Sequence, residues 1–213
     1  LPGEEGDYAA RAIEAYGPAI VPSLIAAIGD PRFHEEIAYS RTISTTRPVC
    51  AVLSCLRSYP GADAVPAVSA LVTHEDYHVR WDAARVLGQS GSEQAIAPLR
   101  TSLEDEDDYV RDAAMTGIWE AAKANRADAA FASAMFDAVL PLLHRHDSTV
   151  SGGAPRCLLA LDSERAAAVL TSPETLRKDS ENLSYILKAL REEGVSVSEA
   201  QLLALVPELE ADA

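Results

Sequence analysis

The chain is poor in the residues that carry most recognisable chemistry. Three cysteines, Cys50, Cys55 and Cys157, occur in 213 residues; an odd number without paired spacing excludes a disulfide framework and a cysteine-rich metal knuckle. Reduced thiols buried on helices, in a reducing compartment such as the cytoplasm, are the expected state. No apolar run approaches the roughly 20 residues of a membrane span. Basic residues are scarce as well: 18 Lys and Arg against 33 Asp and Glu leave a net charge of −15, which argues against a nucleic-acid partner. Nucleophile elbow and phosphate loop are both missing, since Ser151-Gly152-Gly153 lacks the lysine and the preceding strand. The first residue is Leu1 rather than Met, as in a processed or cut chain, so the missing leader carries no weight.

What the chain does contain is a stretch that occurs twice. "AVPAVSALVTHEDYHVRWDAARVL" (Ala64–Leu87) returns 31 residues later as "AIAPLRTSLEDEDDYVRDAAMTGI" (Ala95–Ile118), a period that fits one helical hairpin. In the first half of each copy the apolar positions Val65, Val68, Val72 and Ile96, Leu99, Leu103 share one helical face. A polar turn follows, then a second helix that opens with Val-Arg and carries small alanines where it approaches a neighbour. Gly88 and Gly91 are expected to stop that helix.

The frame extends in both directions with breaks. Val21, Leu24 and Ile28 fit the first-helix pattern, Leu53 and Leu56 the second, and an insertion falls at Ala38–Pro48. Downstream, Phe136, Val139 and Leu143 lie 40 positions after Ile96, Leu99 and Leu103; the nine-residue excess falls around "KANRADAAF" and should lengthen one or both flanking helices. Gly152 and Gly153 cost about 1 kcal/mol each inside a helix, whereas Pro155 suits a first turn, so the next helix is expected to start near Ala154 and leave a notch. In the tail, Ser172-Pro173-Glu174 reads as a helix start and Ser196 with Glu199 as a capping box ahead of "AQLLALVPEL".

"DYHVRWDAARVLGQSG" and "DDYVRDAAMTGIWEA" resemble the short bacterial HEAT-like repeats named after phycobilisome lyase subunits, whose recurring phrase is Asp, a few residues, Val-Arg, two small residues and Leu-Gly. The resemblance is clear over 64–122, weaker over 17–61 and 134–161, and gives way to an irregular helical cap over 163–213. It implies an all-α fold, an α-solenoid of stacked antiparallel hairpins forming a right-handed, HEAT-like or armadillo-type superhelix, here a single domain over 1–213, of nine to twelve helices, with the first-helix face curved inward. It also implies a ladder between turn aspartates and Val-Arg arginines, carried over to Asp76, Arg80, Asp107 and Arg111. At Asp147 that ladder lacks its arginine, since Ser151 stands there.

Four features could carry function. "HEDYH", His74 to His78, spells H-E-x-x-H, but zinc binding needs that motif inside a helix, and the repeat places it across a turn. His34-Glu35, near a helix start, has the form of the iron-binding pairs of the HEAT-like deoxyhypusine hydroxylases. The equivalent places read Trp81-Asp82, Asp112-Ala113 and Gly152-Gly153, so the other pairs are missing. His144-Arg145-His146 closes a first helix, where a cation is favourable. The fourth feature is an aromatic edge: Tyr77, Trp81 and Tyr109 beside Arg80 and Arg111, residue types that dominate interface hot spots; alternatively Trp81 simply covers the neighbouring turn. Arg100, Glu104, Ser69 and Thr73 are expected in the first-helix groove.

No catalytic constellation, metal site or cofactor site is assembled by these residues. The expected role is a non-catalytic protein-protein interaction scaffold or adaptor that takes a protein partner, a basic segment in particular, through an acidic surface. The alternatives are a bilin-lyase-like, chromophore-handling subunit, the regulatory repeat domain of a larger enzyme, or a dedicated inhibitor of one protein. Oligomeric state stays open.

Overall fold

The computed structural model describes residues 15–38, 45–145, 148–178 and 182–198. Among them, four helical hairpins follow in order: α1 (Val21–Ile28) with α2 (Pro48–Leu56), α3 (Val65–Ser69) with α4 (Tyr77–Ser90), α5 (Ile96–Leu103) with α6 (Asp108–Lys123), and α7 (Ala129–Val139) with α8 (Ser148–Leu161). Three further helices, α9 (Ser163–Leu170), α10 (Pro173–Lys178) and α11 (Leu183–Glu192), complete the described chain. Second helices pack on one another in sequence, α2 on α4, α4 on α6 and α6 on α8, while α5 packs on α7 in the first-helix layer. A single apolar core runs from Leu24 to Leu190. The fold is an all-α solenoid-like stack of HEAT type, as the repeat predicts.

Local chemistry explains the two helix lengths. First helices are short and are entered through 3-10 turns, Gly17–Ile20, Ala62–Ala64 and Glu93–Ala95, with Pro22 and Pro66 in their opening turns. The second helices α4 and α6 are longer than their partners and are capped by aspartate: Asp76 Oδ1 accepts from the His78 N–H and Asp107 Oδ1 from the Tyr109 N–H, both at 2.9 Å.

Gly91 ends α4 in the left-handed conformation, φ +62°. Gly88 does not stop the helix; it lies inside α4, where a Cβ would come within 2.8 Å of the Gly117 backbone and 2.7 Å of the Ile118 N. Gly117 meets the Arg85 carbonyl in the same way, at 2.6 Å. The two glycines let α4 and α6 touch backbone to backbone, a contact that no larger residue permits.

Three breaks in the pattern resolve differently. The nine-residue excess lengthens both flanking helices, α6 to 16 residues against 14 in α4 and α7 to 11 against 8 in α5. The insertion contributes a two-residue antiparallel pair, Ile37–Ala38 with Thr45–Thr46. The late helix start is corrected: α8 begins at Ser148, runs through Gly152 and Gly153, and contains Pro155 internally. Gly153 is buried, and a Cβ there would lie 3.3 Å from Met115 Cε and 3.4 Å from Asp112 Oδ1, so tight packing on α6 offsets the glycine cost. In the tail, Ser172 Oγ accepts from the Thr175 N–H at 3.2 Å, as the cap predicts. Glu199, the second member of the expected capping box with Ser196, and the segment after it fall outside the described residues, as do His146 and Asp147.

Candidate protein-docking site

The turns that enter α4 and α6 build the centre of the molecule's edge. In the second turn Asp105 Oδ1 accepts from the Asp107 N–H at 2.9 Å, and Arg111 Nη1 donates to the carbonyls of Asp105 and Glu106 at 2.5 and 3.0 Å. In the first, His74 Nδ1 accepts from the Asp76 N–H at 3.0 Å, and Arg80 Nη1 donates to the carbonyls of His74 and Glu75 at 2.9 and 3.2 Å. The Val-Arg arginine therefore ties down its own turn as well as reaching onward.

The inter-repeat ladder exists with different members. Arg80 makes a bidentate pair with Asp105, Nε to Oδ2 at 2.8 Å and Nη2 to Oδ1 at 3.1 Å, both side chains being about nine-tenths buried. Asp107 is spent on capping α6, and the expected Arg80 to Asp107 step is corrected to Arg80 to Asp105. One repeat earlier Arg47, which the repeat reading missed, bridges to Asp76 Oδ2 at 3.0 Å and Glu75 Oε1 at 2.8 Å. Four adjacent acids in "EDED" gave no means of choosing the ladder member from sequence.

These bonds sort the aromatic edge. Arg80 and Arg111 are buried and their heads are engaged internally, so they support the edge rather than present it. Tyr77 and Tyr109 remain 40% and 60% exposed, one repeat apart, with the Tyr77 ring against His78. The Glu75 and Glu106 carboxylates, 78% and 90% exposed, share one shallow recess with Tyr77. An open groove of about 560 Å³ lies beside them, lined by Thr73, Glu75, Thr101, Glu104 and Glu106. Trp81 points elsewhere: it is half-buried, with the Arg57 and Arg85 guanidinium carbons each 5.9 Å from its ring centre.

Of the groove residues expected on first helices, Arg100 and Glu104 line a second groove of about 400 Å³ with Asp137 and Arg145, between α5 and the segment after α7. Ser69 turns its hydroxyl onto the Val65 carbonyl at 2.6 Å.

The remaining motifs have separate contacts. His74 lies in the turn and His78 in the first turn of α4. The His74 ring stacks on His34, centroids 5.7 Å apart. Burial, then the Arg47 and His34 charges, holds its pKa below the usual histidine value. His34 follows the 3-10 turn Pro31–Phe33 instead of opening a helix, and its Nε2 lies 2.7 Å from the Ile28 carbonyl. Cys50 and Cys157 are pushed up to about 12, mainly by burial, which leaves them unreactive as thiolates. Burial raises Asp82, beside Cys50 and Arg57, to about 6.

Comparison with known proteins agrees with this geometry. Residues 49–119 match the family model of HEAT repeats. No curated protein sequence gives a significant match. Among solved structures, the complex of CpcE and CpcF of phycocyanin lyase from Nostoc sp. PCC7120 matches with a TM-score of 0.52 and 18% identity, over 93% of this chain and 85% of that one. None of the described helices is long and apolar enough to cross a membrane. Residues 49–119 therefore carry HEAT repeats, and the helical stack has the fold of the matched chain in that lyase complex.

Proposed function

We propose that the chain is a non-catalytic scaffold that holds a basic segment of a protein partner along the acidic turn edge between Tyr77 and Tyr109. The observation that carries this reading is that the exposed Glu75 and Glu106 line an open groove and share an adjoining recess with the exposed Tyr77. Arginine or lysine side chains would meet carboxylates at that edge and ring faces beside them. That the similar lyase structure is a complex of two proteins supports a protein as partner. Three free thiols support a reducing, cytoplasmic setting.

Titration with an octa-arginine peptide tests it. Binding should weaken steeply between 0.05 and 0.5 M salt, and Glu75→Lys with Glu106→Lys should reduce affinity roughly tenfold. Affinity indifferent to both changes would sink the reading. The fold likeness over 93% of the chain favours a second reading, a chromophore-handling subunit or a regulatory repeat domain, with the groove at Arg100, Glu104 and Arg145 as its place. Visible absorbance gained on incubation with a linear tetrapyrrole would decide for it.

A further inference from the structure

The layer of second helices gathers arginines on two tryptophans. Arg57, just after α2, and Arg85 on α4 each have the guanidinium carbon 5.9 Å from the Trp81 ring centre, and that of Arg156 on α8 lies 5.1 Å over the ring of Trp119 on α6. Glu120 joins the two clusters, accepting from Arg85 Nη2 and Gln89 Nε2, both at 2.5 Å. Because α2, α4, α6 and α8 pack in order, the two clusters follow one another along the second-helix layer.

Of the three arginines only Arg85 has a carboxylate partner among the described residues, Glu120. The Arg57 side chain makes no hydrogen bond among them, and its buried Nε and that of Arg85 both lack an acceptor. Arg156 reaches only the Thr116 hydroxyl, at 3.4 Å. Burial, followed by the neighbouring Arg85 charge, lowers the Arg57 pKa against the opposing pull of Asp82 and Glu120. A half-buried guanidinium without an acceptor loses hydration that an incoming anion would restore. Trp and Arg are also the residue types most enriched in interface hot spots.

We propose that the stripe Arg57–Trp81–Arg85–Trp119–Arg156 is a second docking surface, on the second-helix layer, for a short acidic peptide segment of a protein partner. Carboxylates seat between the guanidinium groups, which are already held in place by stacking on the indoles. The net charge of −15 repels an acidic domain as a whole; screening over about 10 Å at 0.1 M salt lets the local stripe govern a short segment. This surface is independent of the turn edge.

An octaglutamate peptide tests it, read by the emission of Trp81 and Trp119, the two tryptophans of the chain, and by calorimetry. Saturable binding with an emission shift is expected, weakened about tenfold by Arg57→Gln with Arg156→Gln and restored in part by lysine at both positions. Arg156→Gln alone, at the rim, should weaken binding without changing the melting temperature. The proposal is overturned if octaglutamate leaves emission unchanged, if the double variant binds as the wild type, or if single-stranded DNA binds at least as tightly through the same arginines. Glu75→Lys should leave octaglutamate binding intact.

Discussion

The turns entering α4 and α6 share a backbone, and over His74–Asp76 and Asp105–Asp107 they differ in one residue. Each has a side chain that accepts the N–H two positions on, an aspartate that caps the helix, and an arginine that donates to two turn carbonyls. The accepting side chain is His74 in one and Asp105 in the other. An imidazole offers one acceptor, already used, so the incoming Arg47 goes past it to Asp76 and Glu75. A carboxylate offers a second oxygen, so the incoming Arg80 closes a bidentate pair on Asp105. Backbone geometry is thus set by the repeat, whereas the ladder partner is set by how many acceptors one side chain has to spare.

The strongest way to break the comparison is Asp105→Ala. It strands a buried guanidinium and should cost about 3 to 5 kcal/mol in chemical denaturation; a loss under 1 kcal/mol would mean the pair adds little. Gly117→Ala tests what both hairpins share. Its Cβ would sit 2.6 Å from the Arg85 carbonyl, and separating α4 from α6 should cost about 1 to 3 kcal/mol. Asp107→Ala removes only a helix cap, for about 1 kcal/mol, so the ordering of the two aspartates distinguishes ladder from cap.

The smallest expected effect is in pH dependence. His74 is held below its ordinary pKa, so the unfolded chain binds more protons and stability is lost as pH falls below about 6.5. His74→Asp removes that loss, and the Arg47 contact should then move to residue 74. Asp82 works in the opposite sense: its folded pKa is about 6 against 3.8, so its part of the stability falls as pH rises between those values. Asp82→Asn should flatten that slope, measured as melting temperature from pH 4 to 7.

Residues that repeat every 31 positions were legible because position in a hairpin dictates their environment. Val79, Val110, Leu99 and Leu103 had to face the core, and each is buried. Gly88 was misread, because a glycine at a helix stop and a glycine at a helix crossing look alike until the neighbour is in place. The tyrosine edge was partly legible: Tyr77 and Tyr109 stay exposed, while Arg80 and Arg111 turn inward to satisfy turn carbonyls. Trp81 was separable from that edge only once Arg57, from the preceding hairpin, was seen beside it.

Sequence by itself determined the helical hairpin, its period and the acidic balance, because these depend on neighbours within a few residues or on composition. Only the tertiary structure decided which aspartate answers which arginine, which glycines mark a backbone contact, and that Arg57, Arg85 and Arg156 gather on two tryptophans. Those outcomes depend on groups brought together from different repeats, at distances along the chain that no local pattern encodes.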